Sequence, residues 1–298
     1  MKALFCWTDL DIPNLWVQCI ESFAANGFET IVYSLEPEKQ KARFTNQIQC
    51  VQSNDILHIE LLDRIKQKGR NGPCYQAYCD LFRAKALAMN PNSWWFDTDV
   101  FCLKSEEHFQ TLIKRANGKI IAGRSGENMI NNAVLFSAEN TEIMSCYTSE
   151  LFELAERNNY IGKWGDYGPS FLNSYAIKYP EHIMVEKQNS FYAINPAQTS
   201  YFYDSKYKSM GLDILEDSLC THLWNECLKM AAIPTNMMPP TSSLLYDLMK
   251  KSVNLDNTIL ITEETALKLF YPPKIGLKKT LYNLFPALLN YVERIFNR

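Results

Sequence analysis

The chain lacks the features that mark several large classes of protein. It contains no apolar run of about eighteen residues, so the sequence predicts no membrane-spanning helix. It carries no basic surplus, and its formal net charge of -3 argues against a general nucleic-acid-binding protein. Its nine cysteines include no CxxC pair, and no histidine cluster completes a zinc site with them. We therefore expect reduced thiols in a cytosolic protein.

The amino terminus shows no signal peptide, because the apolar run in "MKALFCWTDLDIP" is short and acidic residues follow it directly. Apolar and aromatic residues, in contrast, are plentiful: they make up 47% and 13% of the 298 residues. This content argues against disorder and is sufficient for a large core. The length suits a single α/β enzyme domain with an appendage.

Hydrophobic patterns predict strands and helices in alternation. Strands over 2–7 and 28–35 flank a helix over 15–27, an order that predicts a parallel βαβ unit at the amino end. Further elements are predicted in chain order: a helix over 75–90, a strand over 94–103, strands over 119–123 and 131–138, and a helix within 140–158. The pattern from 186 to 273 is irregular.

A pair of carboxylates, Asp97 and Asp99, follows the buried segment "SWWF". Residues two apart on a strand share a face, so the two carboxylates can converge where the strand ends. A divalent cation removes both their repulsion and the cost of burying them, and Mg²⁺ or Mn²⁺ is held in this way together with substrate phosphates. Ligands of open α/β sheets bind at this end of the strands. The pair therefore predicts a Mn²⁺ or Mg²⁺ site.

Two alternatives for this pair stay open at the level of the residues. In the first, Asp97 caps a solvated turn and Asp99 faces water, although the preceding "WWF" favours a buried strand end. In the second, "DTDV" is the nucleophile motif of a haloacid-dehalogenase-like phosphatase. Against the second, almost a hundred residues precede Asp97, and no paired acids follow a suitable strand.

Two longer motifs, "YCDLFRAKAL" and "WWFDTDVFCLK", together resemble the DXD-type retaining glycosyltransferases of the α-1,4-glycosyltransferase and capsular polysaccharide synthesis family. The resemblance continues through "NNAVLFSA", "WGDYGPSF" and "THLWNE" and covers residues 1–226. It implies an α/β fold of the GT-A type, with a Rossmann-like nucleotide-sugar-binding domain and a mixed sheet. It also implies a UDP-sugar donor, Mn²⁺ or Mg²⁺, and retention of anomeric configuration. We expect this domain to span 1–250 and a C-terminal helical extension to span 251–298.

The same resemblance implies further metal and donor contacts. His222 is the implied third metal ligand; the alternative is a core histidine bonded to a backbone carbonyl. Asp80 and Arg83 lie three apart, on one helix face. The resemblance directs Arg83 to sugar hydroxyls or phosphate and Asp80 to sugar or ribose hydroxyls, whereas the alternative for both is a surface ion pair.

A glycine-containing segment, "GKWGDYGPSF", supplies another candidate, Asp166. The resemblance implies that Asp166 faces the reacting sugar carbon and orients the acceptor; a turn or helix N-cap aspartate is equally consistent. Asn131 and Asn132 begin a strand, where asparagine is unfavourable, so sugar contacts are favoured. The remaining predicted donor contacts are Thr98, Trp7 and Tyr33. The two aromatic rings are expected to flank the uracil, with burial in the core as the alternative.

The implied acceptor is a growing bacterial surface glycan, capsule or lipopolysaccharide, free or lipid-linked. Its selection is expected within 186–250, where four aromatic residues can stack on sugars or belong to the core: Tyr192, Tyr201, Phe202 and Tyr203. A noncatalytic sugar-nucleotide-binding or membrane-adaptor protein is the alternative from another class. Retained carboxylates beside an arginine and a histidine argue against it.

The last segment, 274–298, differs from the rest of the chain in charge. It holds five basic residues and one acidic residue, a net charge of +4, which leaves -3 - 4 = -7 for the remainder. Apolar residues at helical spacing, interrupted at Pro286, predict a basic amphipathic segment of two short helices. We expect peripheral contact with the inner face of the cytoplasmic membrane, and docking on the protein's own core or on a second subunit is the alternative.

Overall fold

The structure is a computed structural model that describes residues 1–9, 11–44, 47–252 and 259–272. The predicted amphipathic segment 274–298 lies outside these residues, so its membrane contact stays a prediction. No helix within the described ranges is long and apolar enough to cross a membrane.

The first half of the chain alternates strands and helices, as the hydrophobic pattern predicted. Its elements are β1 (Lys2–Trp7), α1 (Asn14–Ala25), β2 (Glu29–Ser34), α2 (Pro37–Lys41), β3 (Ile48–Gln52), β4 (Lys66–Gln67), α3 (Tyr75–Met89), β5 (Ser93–Phe96), β6 (Val100–Cys102), α4 (Glu106–Ala116), β7 (Ile120–Gly126) and β8 (Met129–Ser137). Two 3₁₀ turns, Ser53–Asp55 and Ile59–Asp63, precede β4.

The second half is mostly helical. Its elements are α5 (Thr141–Arg157), β9 (Ile161–Gly162), α6 (Pro169–Lys178), β10 (Ile183–Glu186), α7 (Gln188–Phe191), α8 (Lys208–Leu215), β11 (Cys220–His222), α9 (Asn225–Met230), α10 (Leu244–Ser252) and α11 (Glu263–Phe270). Two 3₁₀ segments, Pro196–Phe202 and Ser205–Tyr207, separate α7 from α8. The sequence pattern from 186 to 273 is irregular, and the described part of this region consists mainly of short helices and 3₁₀ segments, each too brief to show a clear period.

Seven strands form one mixed sheet in the order β10-β7-β8-β5-β1-β2-β3. β1 pairs in parallel with β2 and with β5, which confirms the predicted βαβ unit at the amino end. β8 runs antiparallel to both of its neighbours, β5 and β7. Because β8 is reversed, its amino end lies at the edge where β1 and β5 have their carboxyl ends. Residues at the start of β8 and at the end of β5 therefore meet.

The single strand predicted over 94–103 was wrong. β5 ends at Phe96, a turn carries residues 97–99, and β6 then leaves the main sheet to pair with β11. The turn is closed by the backbone N–H of Val100, which donates to the carbonyl of Asp97 at 3.0 Å. The pair of carboxylates therefore lies at a break between two sheets, and not within one strand.

Two apolar clusters cover the main sheet. One joins β1 and β5 residues such as Phe5 and Phe96 to the buried face of α1, and the other joins Leu4 and Trp95 to α3 and α5. Neighbouring residues of each strand thus enter opposite clusters, as the twofold period of a strand requires. The sheet is buried on both faces, and polar groups concentrate at its edge.

Candidate active site

The pairing of β6 with β11 brings a late histidine to the Asp-Thr-Asp turn. His222 lies opposite Val100 in this antiparallel pair, and the N–H of Leu223 donates to the carbonyl of Asp99 at 2.8 Å. The register therefore sets His222 beside Asp99, although 123 positions separate the two in the sequence. His222 Nε2 lies 3.0 Å from Asp99 Oδ2.

Asp97, Asp99 and His222 form the one group of three metal-ligating side chains found within the described ranges. Each offers an atom, and these atoms all lie within 4.8 Å of one another. Asp99 and His222 are buried, and Asp97 is half-buried. Asp99 Oδ2 also accepts a 2.7 Å hydrogen bond from the backbone N–H of Asn225, at the start of α9. The buried position of Asp99 contradicts the solvated-turn alternative.

A second polar cluster adjoins the first through Arg83. This buried guanidinium donates from Nη2 to Asp97 Oδ1 at 2.7 Å and from Nη1 to Asp80 Oδ1 at 3.1 Å. Asn132 Nδ2 donates to the same oxygen of Asp80 at 2.7 Å. Asp80 and Arg83 are 7% and 4% exposed. The surface ion-pair alternative was therefore wrong: the pair is buried and connects α3 to the strand ends.

Burial and charge shift the pKa values of these groups in different directions. Burial raises the pKa of Asp80 to about 6, although Arg83 and Asn132 act to lower it. Burial also acts to raise the pKa of Asp99, but His222 and the N–H of Asn225 hold it below its ordinary value. Burial acts to lower the pKa of His222, and the neighbouring Asp99 outweighs this and raises it. Both pKa shifts favour the charged forms of Asp99 and His222, which lie at hydrogen-bonding distance from each other.

The donor set and its charge fit a divalent cation. When the three carboxylates are ionised and His222 is neutral, as a metal ligand must be, these groups and the guanidinium of Arg83 give -3 + 1 = -2, a charge that a divalent cation balances. Both hydrogen bonds to Asp97 end on Oδ1, from Arg83 and from Trp95 Nε1 at 2.9 Å, which directs Oδ2 to a ligand. His222 Nδ1 is buried without a hydrogen-bond partner in the described part of the chain, so the polar contact that orients the ring is the one between Nε2 and Asp99. Two carboxylates and one imidazole are ligands that Mn²⁺ accepts.

The loop between β9 and α6 packs against the second cluster. The backbone of Gly168 directly contacts the carboxylate of Asp80. Asp166, two residues earlier, accepts a 2.6 Å hydrogen bond at Oδ2 from the N–H of Lys163. Asp166 thus has the turn contact that was its alternative interpretation, on a loop that reaches the site through Gly168. Its role toward the sugar stays a prediction.

Asn131 and Asn132 are the third and fourth residues of β8, which begins at Met129 and not at 131 as predicted, and their contacts differ. Asn132 is buried and bonds Asp80, so its amide belongs to the polar cluster. Asn131 is half-buried, and its Oδ1 accepts a 2.8 Å hydrogen bond from the N–H of Ala133. Thr98 is half-buried between the two carboxylates of the turn. Their donor contacts stay predictions.

The two aromatic residues predicted to flank a base differ in exposure. Tyr33 is buried, packs edge-on against Phe82 at 5.5 Å, and its hydroxyl accepts a 3.0 Å hydrogen bond from Asn90. This is the position of a core aromatic, the alternative noted above. Trp7 is half-buried at the carboxyl end of β1, and its Nε1 has no hydrogen-bond partner among the described residues. Trp7 therefore lies at the edge where ligands of such sheets bind.

The aromatic residues proposed for acceptor selection are mostly core residues. Tyr192, Phe202 and Tyr203 are at most 1% exposed. The hydroxyl of Tyr192 accepts a 3.0 Å hydrogen bond from the N–H of Val134. Tyr201 is half-buried, and its ring stacks on Tyr207 with centroids 4.0 Å apart. None of the three buried rings is placed to meet an acceptor.

Three residues that the sequence interpretation missed support the site. Trp95 donates to Asp97 and lies under Arg83, whose guanidinium is 5.4 Å from a Trp95 ring centroid. Trp224 lies 4.2 Å from the ring of His222 and has a left-handed backbone, with φ of 57°. Gly168 has no Cβ atom, and the carboxylate of Asp80 lies where such an atom would come too close. The two-residue spacing of Trp95 and Asp97 was a usable signal, and the Gly-Pro step of "GKWGDYGPSF" marked Gly168 as a loop residue without indicating its contact with Asp80.

Comparison with known proteins agrees with this geometry. A family model described as the alpha 1,4-glycosyltransferase conserved region matches residues 157–249, which include the Gly168 loop and His222. No curated protein matches the full sequence.

Solved structures give the fold. The galactosyltransferase LgtC, solved with donor and acceptor sugar analogues, superposes with a TM-score of 0.51 at 11% identity, covering 86% of this chain and 98% of LgtC. Mouse xyloside xylosyltransferase 1 superposes with a TM-score of 0.45 at 12% identity, covering 74% of this chain and 97% of its own. The fold assignment depends on the first of these. The chain therefore has the GT-A fold, and its residues 157–249 match the alpha 1,4-glycosyltransferase conserved region.

Proposed function

We propose that the protein is a metal-dependent, retaining glycosyltransferase that moves a sugar from a UDP-sugar to a growing bacterial surface glycan. The observation that supports this most is the juxtaposition of two clusters at the strand ends. One cluster, Asp97 with Asp99 and His222, suits a divalent cation, and the other, Asp80 with Arg83, suits sugar hydroxyls. The GT-A fold and the glycosyltransferase region contradict the phosphatase alternative.

Asp97, Asp99 and His222 would hold Mn²⁺ or Mg²⁺, which when bound acts as a Lewis acid toward the two phosphates of the donor. Arg83 fixes the carboxylates of Asp80 and Asp97 at the same time, and so sets the distance between the metal end and the sugar end of the site. The second oxygen of Asp80 is available to accept from a sugar or ribose hydroxyl. The guanidinium of Arg83 would also supply positive charge to stabilise the departing diphosphate.

Asp166 is the residue that we assign to the reacting sugar carbon. Its carboxylate lies on the loop whose Gly168 touches Asp80, so that small changes in this loop can direct it toward the donor sugar. A carboxylate there stabilises positive charge at the carbon and orients the acceptor hydroxyl. Transfer on the same face of the sugar needs no covalent enzyme intermediate, and retention follows from it.

A donor-hydrolysis assay tests the function without knowledge of the acceptor. The wild-type protein is incubated with UDP-, GDP- and CMP-sugars with Mn²⁺ or with EDTA, and free nucleoside diphosphate or monophosphate is measured. We expect slow, metal-dependent hydrolysis of a UDP-sugar, since such transferases pass sugar to water when no acceptor is bound. Lack of hydrolysis with every donor, together with lack of donor binding in a thermal-shift assay, would favour the noncatalytic alternative.

Proton NMR of the first product tests the stereochemistry. An α-linked UDP-sugar should give an α product in its initial spectrum, before mutarotation. A β product would refute retention and would require a general base, for which Asp166 is the first candidate.

We also propose that the segment from 251 onward is an extension of the GT-A domain and that 274–298 attaches the protein to the inner face of the cytoplasmic membrane. The net charge of +4 in that segment supports this. A chain ending at Pro273 should lose flotation with phosphatidylglycerol liposomes and keep donor hydrolysis. Loss of folding on truncation, or flotation of neither form, would instead assign the segment to the core or to a second subunit.

A further inference from the structure

A two-stranded sheet beside the site carries an unusual density of positive charge. β4 pairs in parallel with β9, with Lys66 opposite Ile161 and Gln67 opposite Gly162. Segments 63–70 and 161–168 together hold five basic and two acidic residues, a net charge of +3 in a chain of net charge -3. The positive charge of this small sheet is therefore local.

Strand alternation separates the two faces of this sheet. Lys66 pairs with Ile161, so these two side chains share one face of the sheet, and Lys68 and Lys163 follow directly after the strand residues Gln67 and Gly162. All four side chains are exposed. The opposite face turns to the protein body, where the Tyr167 ring lies against Gly162. We call the exposed face the lysine face.

The three ammonium groups of the lysine face have no carboxylate partner at salt-bridge distance within the described ranges. Lysines that are not neutralised within the protein attract anions from solution. Two large aromatic side chains flank them: Trp164, next to Lys163, is 47% exposed, and Tyr75, at the start of α3, is 49% exposed. Aromatic rings beside cations suit a ligand with both sugar rings and negative charge.

Both ends of this sheet lead directly to the candidate active site. β9 continues into the loop whose Gly168 contacts Asp80. β4 continues into α3, where Tyr75 precedes Asp80 by five residues, about 7.5 Å along the helix axis. The lysine face is therefore connected to the site through both of its strands, and its four side chains are exposed, whereas the carboxylates of Asp80 and Asp99 are buried. A donor diphosphate would lie at the buried carboxylates. An extended acceptor chain would continue from there over the lysine face.

We propose that the lysine face binds an acidic saccharide, the part of the acceptor chain that precedes the sugar to be extended, with carboxylate or phosphate groups on Lys66, Lys68 and Lys163 and a sugar ring against Trp164. This inference deepens the proposed function and rests on it. An acidic glycan is favoured over an anionic membrane because the face is only two residues wide on each strand and offers a single aliphatic side chain, Ile161.

Direct binding tests the proposal with trigalacturonic acid as the probe and neutral maltotriose as its comparison. Calorimetry at 50 mM NaCl should show binding of trigalacturonic acid to the wild-type protein, weakened at 300 mM NaCl because exposed charges are screened. Intrinsic fluorescence should change on binding, and the variant Trp164→Phe should lose that change. Equal affinity for maltotriose, or affinity that salt does not alter, would overturn the proposal.

Two triple variants of equal net charge distinguish binding at the lysine face from general electrostatic attraction of an anion to the protein. Lys66→Gln, Lys68→Gln and Lys163→Gln together should weaken trigalacturonic acid binding about tenfold, the sum of three exposed charge interactions. The control combines Lys41→Gln, Lys114→Gln and Lys187→Gln, three exposed lysines on other elements, and should bind as wild type does. An equal loss in the control would overturn the proposal.

The same variants distinguish the other anions. A loss of UDP affinity equal to the loss of trigalacturonic acid affinity would assign the lysines to the donor and overturn the proposal. Lysine-dependent binding of phosphatidylglycerol vesicles without saccharide binding would assign them to a lipid surface, with the same consequence. Saccharide binding is measured without donor or turnover, so a failure of the proposed function appears separately, in the hydrolysis assay of the wild-type protein.

Discussion

Gly168 lies so close to Asp80 that a Cβ atom on the glycine would be 2.5 Å from Oδ2 and 2.7 Å from Oδ1 of the carboxylate. The carboxylate has little freedom to move, because Arg83 and Asn132 both donate to it. The loop that carries Asp166 can therefore pack against α3 at Asp80 only because residue 168 has no side chain.

Gly168→Ala should therefore displace Asp80 and weaken both of its hydrogen bonds. We expect a loss of about 1–3 kcal/mol in the free energy of unfolding, the usual cost of overpacking, and a fall of tenfold or more in donor hydrolysis. Urea unfolding and the hydrolysis assay measure the two effects. Gly126→Ala is the control, because no atom lies within 4 Å of its added methyl group. Wild-type behaviour of Gly168→Ala would show that Asp80 adjusts freely.

Arg83 is expected to be essential for stability as well as for activity. Arg83→Met leaves the carboxylates of Asp80 and Asp97 without their shared partner in a buried place, which costs about 3–5 kcal/mol. The double variant Asp80→Asn, Arg83→Met removes one of the uncompensated charges. It should therefore be more stable than Arg83→Met alone in urea unfolding at pH 7. A double variant that is less stable than the single one would contradict the charge-based explanation.

Much of the site was predictable because local patterns mark it. The apolar segment before Asp97, the helical spacing of Asp80 and Arg83, and the resemblance of the ordered motifs identified the turn after β5, helix α3 and the segments that carry Asn132 and His222. The structure confirms the GT-A fold that this resemblance implied. These signals succeed because strand ends and helix faces are set by short-range periodicity.

Other features depended on long-range pairing that no local pattern reports. The contact of His222 with Asp99 follows from the β6–β11 register, and the predicted single strand over 94–103 concealed the break that makes this pairing available. Tyr33 looked like a ligand-facing aromatic because it lies near a strand end, but its face of the sheet is covered by α3. Which face a helix covers is decided by topology and cannot be inferred from one strand.

Asp99→Asn should abolish high-affinity binding of Mn²⁺. The amide keeps the shape of the side chain but lacks the charge that the cation needs, and it no longer supports the ion pair with His222. In the wild-type protein, Mn²⁺ at a hundred times its dissociation constant should stabilise the fold by about 2.7 kcal/mol, a gain that the variant should lose. Thermal unfolding with Mn²⁺ and with EDTA measures this. Asp213→Asn, an exposed position on α8, is the control. Equal stabilisation of Asp99→Asn would refute the assigned metal site.

Asp80 should make the stability of the metal-free protein fall as the pH rises through weakly acidic values. Its pKa is about 6 in the folded protein against an ordinary value of 3.8, so the folded state binds this proton more tightly than the unfolded state does. The stabilisation that this proton provides is complete below pH 3.8 and is lost as the pH rises through about 6. Asp80→Asn cannot titrate, so it isolates the effect from all other groups.

The measurement is urea unfolding of both proteins in EDTA at several pH values from 4.5 to 7.5. Relative to Asp80→Asn, the wild-type protein should lose on the order of 2–3 kcal/mol across the whole titration, with little further change above about pH 6.5. The difference in unfolding free energy between the two proteins at any single pH also includes the altered contacts with Arg83 and Asn132. The test therefore uses the change of that difference with pH. Asp213→Asn should parallel the wild type. A difference between wild type and Asp80→Asn that stays constant with pH would mean that Asp80 keeps an ordinary pKa, and that its burial is compensated by Arg83.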